Sequence, residues 1–443
     1  MAESLGGSLG LWMVAPFVGM LLSVAVLPLV AAHWFEHNRN RALVAAVFGL
    51  PVVIYLIGRF GDEGVDLVLR TGEEYVSFIT LLAALFTVSG GIYLTGNLLG
   101  TPLTNIAFLL VGSVLANFIG TTGAAMVLIR PLLRANSERR YNTHIVIFAI
   151  FVIANIGGLL TPLGDPPLFL GFLRGVDFFW TLRLLPQWAL AVGATVAVFA
   201  AVDFHYYRKE PAKMRREDIA DYVPLGVAGK VNVLFLGGII GAVLLSKPLG
   251  EIGEVIHFPF VRELVMVAMM VLSVKVGPHG TRKANHFSWG PITEVAVIFA
   301  GIFAAMIPAL AILEARGAEL GLSRPWHFFW TAGALSSFLD NAPTYLTFTS
   351  TAQGYLGLHE LSALTGTQVV GAAGYSPSVF LSAISTGAVF MGANSYIGNA
   401  PNFMVKSIAE SAGVRMPSFF GYMAYSGAVL IPVFIVITLV FFR

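Results

Sequence analysis

Four stretches of this chain, 11–32, 76–99, 226–246 and 417–441, each run for about 20 residues with hardly a charge, enough for a helix to cross a bilayer core of roughly 30 Å. With 57% hydrophobic against 11% charged residues over 443 positions, the whole chain lies far from a soluble globule. The long unbroken runs of Leu, Ala, Val and Phe do not supply the short alternating strands of a transmembrane barrel. The reading is an all-α polytopic membrane protein of about ten transmembrane helices plus two re-entrant hairpins.

The opening residues, MAESLGGSLG, carry Glu3 and no basic cluster before the first apolar run, so that run is expected to stay in place as a helix. The chain contains no cysteine, which removes disulfides, thiolate metal sites and cysteine nucleophiles together. Orientation follows from where Lys and Arg fall. The loops 33–42, 134–140, 205–218, 275–286 and 406–415 are richer in them than the alternate loops 59–75, 174–183, 247–262 and 314–324. The first set is read as cytoplasmic, which puts both termini outside a bacterial inner membrane. The most basic stretch, RKEPAKMRRED at 208–218, reads as a linker between two halves.

Two segments fit this topology only if each enters and leaves on one face. The first, 101–135, turns at Gly120 to Gly123, and the second, 325–353, turns at Asp340 to Pro343. Their arms are too short for two comfortable crossings, and irregular tips at that depth require a polar or protein surrounding. The two halves also echo one another. Laying VGSVLANFIGTTGAAM over AGALSSFLDNAPTYL sets Gly120 opposite Asn341 and Thr122 opposite Pro343. Laying GGLLTPLGDPPLF over GANSYIGNAPNF sets Gly164 on Gly398, Asp165 on Asn399 and Pro167 on Pro401.

The expected organisation is therefore scaffold helices in 1–75, then a first repeat in 76–207 with hairpin 101–135 and broken helix 141–174. A linker spans 208–224, and further scaffold helices fill 225–290. A second repeat occupies 291–443, with hairpin 325–353 and broken helix 378–411. On the loop-charge topology the two repeats are inverted, the arrangement in which broken helices at the midplane form transport sites.

The breaks have a definite chemistry. Proline lacks an N–H, so Pro166 and Pro167 leave the carbonyls of Pro162 and Leu163 free, and Pro162 does the same for Gly158. In hydrocarbon each orphaned group costs several kcal/mol, which implies a polar cavity or a bound cation. In the second half Asn394, Ser395, Asn399 and Asn402 supply side-chain oxygens beside Pro401. A hard cation such as sodium takes this mixture of carbonyl, hydroxyl, amide and carboxylate ligands, with Asp165, Asp340 and Asn399 as its expected holders.

Each candidate has a plainer alternative. Asp before Pro is a common helix start, so Asp165 could be a cap, although a charge at that depth costs at least about 2.5 kcal/mol where Ser or Asn would cap uncharged. Asp340 and Asn341 could be only a turn, Thr121 and Thr122 only capping hydroxyls, and Asn117 and Asn155 interhelical glue. Glu294 stands where Glu often answers a helix start, and Arg130, Lys230, Lys275 and Lys406 read as snorkelling side chains. No histidine falls in a metal-ligand spacing.

The order of a small-residue hairpin tip, then NIGGLLTPLGDPP, then a second copy with FLDNAP and GANSYIGNAPN, resembles the ion transporter superfamily. That group includes arsenite permeases, citrate and dicarboxylate carriers, the P protein and D-type sodium/proton antiporters. The resemblance covers roughly residues 76–443, and GDPP at 164–167 is its strongest element. It implies a homodimer with a moving elevator of hairpins and broken helices, and a site built from both tips and both breaks. The Ser-Asn-Thr triplet of the carboxylate carriers is missing from both tips, which read GTTGAA at 120–125 and DNAPT at 340–344.

The function expected on this reading is secondary transport by alternating access, first as sodium/proton antiport at Asp165 and Asp340. Sodium-coupled transport of citrate or dicarboxylates is the alternative, followed by arsenite export; a channel or an intramembrane enzyme fits less well. No cofactor is expected beyond sodium as transported or coupling ion. The expected partners are the lipid bilayer, a small cation with protons, and a second copy of the chain, with no nucleic acid.

Overall fold

The computed structural model describes residues 6–278, 280–369 and 374–443, so the first five positions, with Glu3, lie outside the described residues. The chain opens with α1 (Ala15–Val30), α2 (Asn38–Phe60) and α3 (Asp62–Ser89), followed by a short strand β1 (Tyr93–Asn97). Next come α4 (Pro102–Ala135), α5 (Thr143–Val152), α6 (Pro166–Leu173) and α7 (Leu185–Arg208). The linker contains α8 (Ala212–Ala220) and strand β2 (Val223–Ala228). The second half runs α9 (Val231–Leu244), α10 (Ser246–Ile256), α11 (Val261–Val276) and α12 (Gly290–Arg316). It ends with α13 (Pro325–Ser336), α14 (Asn341–Leu356), α15 (Pro377–Met391), α16 (Ala400–Ser411) and α17 (Phe419–Phe441).

Among the described residues, eight helical segments are long and apolar enough to cross a membrane by length and composition, one of them Pro102–Ala135, which is kinked at Gly120, or nine if α9 and α10, bent by 72°, form one broken span. The count falls below the expected ten because α11 has 16 residues and because α15 and α16 are the short pieces of a single broken element. The protein is an integral membrane protein. Its outer helices turn apolar side chains outward, as at Ile54, Leu234 and Phe420, which are 70%, 74% and 79% exposed. In contrast, the segment Thr143–Leu160 is apolar all round and 89% buried within the protein, as expected of a central element.

α4 is a hairpin and not one long helix. At Gly120 the backbone takes φ 75 and ψ 156, open to glycine but not to most residues. A straight helix would set Asn105 and Asn136 roughly 45 Å apart. Instead their amides are reciprocally bonded, Asn105 Nδ2 to Asn136 Oδ1 at 3.0 Å and Asn136 Nδ2 to Asn105 Oδ1 at 2.7 Å. The second hairpin, α13 and α14, is closed at its base by the Tyr355 hydroxyl donating to the Ser323 carbonyl at 3.3 Å.

One element departs from the all-helical expectation. β1 and β2 pair antiparallel, Tyr93 opposite Ala228 and Asn97 opposite Val223, with a bulge between Thr95 and Asn97. The strands are five and six residues long and lie 125 residues apart in sequence, so no hairpin turn signals them. The ribbon ties the entry to the first hairpin to the linker between the halves.

Candidate functional site

The two breaks are built alike. In the first, a 3-10 turn over Ile156–Leu160 gives way to extended backbone at Thr161 (φ −142, ψ 157) and Asp165 (φ −142, ψ 143), and α6 starts on Pro166. In the second, a 3-10 turn over Gly392–Asn394 gives way to Ser395 (φ −138, ψ 169) and Asn399 (φ −153, ψ 140), and α16 follows. The prolines thus fall in the first turn of each second piece, where a missing N–H costs nothing. Each break folds tightly on a glycine. A Cβ on Gly164 would lie 2.2 Å from the Gly158 carbonyl oxygen, and one on Gly398 would lie 2.6 Å from that of Gly392.

Gly164→Ala and Gly398→Ala should therefore each destabilise the protein by about 1–3 kcal/mol through forced backbone shifts. Gly193→Ala, on a helix face with nothing within 4 Å, is the control and should be neutral or stabilising. Thermal unfolding in detergent reads the difference, and equal midpoints for all three variants would refute it.

Each hairpin docks on the break of its own half through a hydroxyl. Thr161 Oγ1 donates to the Asn117 carbonyl at 2.5 Å and accepts from Leu163 N at 3.2 Å. Ser395 Oγ donates to the Ser337 carbonyl at 2.5 Å and accepts from Ile397 N at 3.2 Å. Asn117 Nδ2 donates to the Gly157 carbonyl at 2.7 Å, and Asn117 Oδ1 accepts from Leu160 N at 2.7 Å. At the second tip Asn394 Nδ2 donates to Ser337 Oγ at 2.9 Å, and the Ser337 hydroxyl is shared between the Gly333 carbonyl at 2.8 Å and the Met391 carbonyl at 3.1 Å. These contacts make Asn117 the counterpart of Ser337, and hence Thr121 the counterpart of Asn341. The sequence pairing of Gly120 with Asn341 is thus shifted by one residue.

The breaks then meet each other. Asn155 Nδ2 donates to Asn402 Oδ1 at 2.7 Å, and Asn402 Nδ2 donates to the carbonyls of Gly392 at 2.8 Å and Ser395 at 2.9 Å. Asn399 Nδ2 reaches the Ala154 carbonyl and Asn155 Oδ1, both at 3.2 Å, and Asp165 Oδ1 at 3.3 Å.

All four elements converge on Asp165. Its Oδ1 accepts from Thr121 Oγ1 at 2.9 Å as well as from Asn399, and its Oδ2 accepts from Asn341 Nδ2. Thr121 N also donates to the Gly164 carbonyl at 2.8 Å, fastening the first tip to the backbone beside the carboxylate. Asp165 is 1% exposed, and Thr121, Asn341 and Asn399 are buried around it.

This geometry decides several of the alternatives. Asp165 stands at the N-cap of α6 yet makes no side-chain cap bond, so it is not a plain cap. Asn399, at the N-cap of α16, likewise makes no side-chain cap bond. Asp340 is the residue that caps, its carboxylate accepting from Ala342 N at 3.0 Å. Asn155, Asn402, Asn394 and Ser395 belong to the network that joins the breaks and the second tip. Gly158 closes on Gly164, and Leu163 turns its carbonyl toward the first tip, 3.4 Å from where a Cβ on Gly120 would stand. Pro162 lies buried in the turn, while Thr122 is half-buried next to the contact.

Thr161 and Ser337 were not singled out in the sequence. Thr161 was legible, because the overlay of the two breaks sets it on Ser395. Glu294 is held by Arg41 at 2.9 Å, outside the convergence. A groove of about 400 Å³ between α2 and α12, lined by Ala45, Gly49, Ala300 and Gly301, also lies apart from it.

Residues 6–442 match the family described as "Putative citrate transport". No curated protein matches the chain. The family match takes in both hairpins, both breaks and the carboxylate they share, and the chain belongs to this citrate transport family, within the ion transporter and citrate carrier group.

Proposed function

We propose that this protein is a secondary transporter of citrate-like carboxylates, coupled to sodium or protons, with Asp165 as the group that takes the coupling cation. The observation that carries the reading is the meeting of two hairpin tips and two helix breaks at one buried carboxylate, in a chain of the citrate transport family. An ionised carboxylate held by neutral donors alone pays several kcal/mol of desolvation, and a bound proton or sodium ion removes that cost. A buried negative charge also repels a carboxylate substrate until a cation compensates it. Coupling follows from these two facts, since cation and anion each favour the other's binding.

Asn341 supplies the means to hold a cation. Its Oδ1 is buried without a hydrogen-bond partner while its Nδ2 serves Asp165. A half-turn of that amide sets two oxygens side by side, suited to a hard cation. On this reading the two similar halves are inverted repeats, the tips open alternately to the two faces, and the scaffold helices join two copies of the chain. The basic loops then face the cytoplasm of a bacterial cell.

Sodium/proton antiport is the second reading, favoured by the fact that, among the described residues, Asp165 and the neighbouring Asp340 at the second tip make the convergence acidic. Purified protein in liposomes, given labelled citrate and an internal pH dye, separates the two. Citrate uptake driven by an inward sodium or proton gradient is the expected result. Sodium-driven proton movement with citrate left outside would replace the carboxylate carrier by the antiporter.

A further inference from the structure

We propose that the seam between the return arm of the first hairpin and the α3 to β1 connection is the route by which a carboxylate anion reaches Asp165 from the face that carries the basic loops. The proposal rests on the carboxylate reading above and adds an approach path to it.

The evidence is a set of arginines without carboxylates, and a buried hydroxyl without a partner, between these two elements. Three buried or half-buried arginines elsewhere have a carboxylate, Arg139 with Asp203 at 2.5 Å, Arg174 with Glu74 at 2.9 Å and Arg41 with Glu294 at 2.9 Å, although the Nε of Arg41 and Arg139 is itself unpartnered. Three arginines around the seam have none among the described residues. Arg134 donates to the Tyr93 hydroxyl and the Leu94 carbonyl. Arg282 donates to Ser273 Oγ at 2.6 Å and to the Thr87 carbonyl at 3.3 Å. The Nε of each is buried without a partner. Arg130 stands one helical turn before Arg134 on the same face, half-buried, with neither hydrogen bond nor ion pair among the described residues. The nearest acid along the chain, Glu138, takes its bond from Ser137 and from none of the three.

The line continues inward. Ser89 Oγ is fully buried without a partner, and it faces the hairpin, since a Cβ on Gly123 would lie 2.8 Å from it. Gly123 is two residues past Thr121, which touches Asp165. From Gly123 to Arg134 the arm rises roughly 16 Å. An anion drawn to the arginines at the outer end thus passes an unmatched hydroxyl on its way to the convergence. Lipid-facing arginines that merely snorkel extend into the headgroups, whereas Arg134 and Arg282 turn onto protein backbone.

The absence of cysteine makes the test direct. Ser89→Cys places a single, nearly isosteric thiol in the seam of the full chain. Its modification in liposomes is followed with a sulfonate-bearing and an ammonium-bearing methanethiosulfonate, each rate normalised to that of a free thiol. The anionic reagent should react about 10-fold faster or more, because uncompensated cations concentrate anions. Salt should reduce that preference, citrate should protect the thiol, and Arg130→Gln with Arg282→Gln should erase the preference, while Arg130→Lys keeps it.

Equal rates, a faster cationic reagent, or no modification by either overturns the proposal. So does a preference that appears only when anionic phospholipid is left out, which would make the arginines a lipid-headgroup site. Anion preference without citrate protection or citrate uptake leaves the seam standing as an anion route and refutes citrate as the cargo.

Discussion

Asp165→Asn is expected to reduce coupled citrate uptake by about 100-fold or more, the loss that follows when a transport step forfeits its one charge-assisted contact. The folded structure should survive. Asparagine keeps one oxygen for Thr121 and Asn399, and its amide can donate to Asn341 Oδ1, which has no partner in the wild type. Unfolding midpoint and elution volume should therefore stay close to those of the parent while the labelled citrate signal falls to background. Asp340→Asn is the contrasting variant. Its carboxylate caps α14 through Ala342 N, and Asn caps about as well as Asp, so most uptake should remain. Equal losses from the two variants would mean that the convergence on Asp165 does not single out the coupling group.

The second large effect is expected at the base of the first hairpin, in stability. Asp203 is fully buried at the end of α7, where its Oδ1 accepts from Arg139 Nη2 at 2.5 Å and pairs with His144 Nε2 at 2.9 Å, and its Oδ2 accepts from Asn105 Nδ2 at 2.9 Å. Glu210 binds the backbone N–H groups of Arg140 at 3.2 Å and Tyr141 at 3.0 Å, but stands 3.8 Å from Arg139 Nε. Asp203→Ala leaves the Arg139 guanidinium buried with that longer contact and two weak bonds, to the Gly100 carbonyl at 3.4 Å and Asn136 Oδ1 at 3.5 Å. Breaking a buried pair in this way costs about 3–5 kcal/mol. The double variant Asp203→Leu with Arg139→Met, which removes both charges, should recover much of the loss. Thermal unfolding in detergent checks both, and a double variant less stable than Asp203→Ala would show that the pair contributes more than mutual neutralisation.

Both hairpins and both breaks were legible because their signals are local. Glycine at 120 and the Asp-Asn-Ala-Pro run at 340–343 mark tips, and prolines 166, 167 and 401 mark helix starts. The overlay of one break on the other was correct down to Thr161 on Ser395. What stayed hidden depends on contacts far apart in the chain. That Asp165 bonds across to Thr121, Asn341 and Asn399 instead of capping α6 cannot be read from Asp-Pro, whose local meaning is a cap. The one-residue shift at the tips, Thr121 and not Gly120 answering Asn341, arises because the tips differ in turn chemistry while the hydroxyl clamps fix their depth. The β1 to β2 ribbon was missed for a similar reason, since two short strands without a joining turn have no local signature.

The shared carboxylate also bears on leakage. Thr121 belongs to one tip and Asn341 to the other, and both are satisfied by oxygens of the same residue. A tip that swings away alone leaves a buried donor unmatched and removes one of the acceptor's partners, a penalty of about 1–3 kcal/mol for each unmatched group. On the carrier reading proposed above, a cation at Asp165 and a carboxylate substrate beside it would together supply partners for the carboxylate and for the freed donors. On that reading the junction is an interlock, in which an empty carrier resists opening and spends little of the ion gradient on cycles that carry nothing.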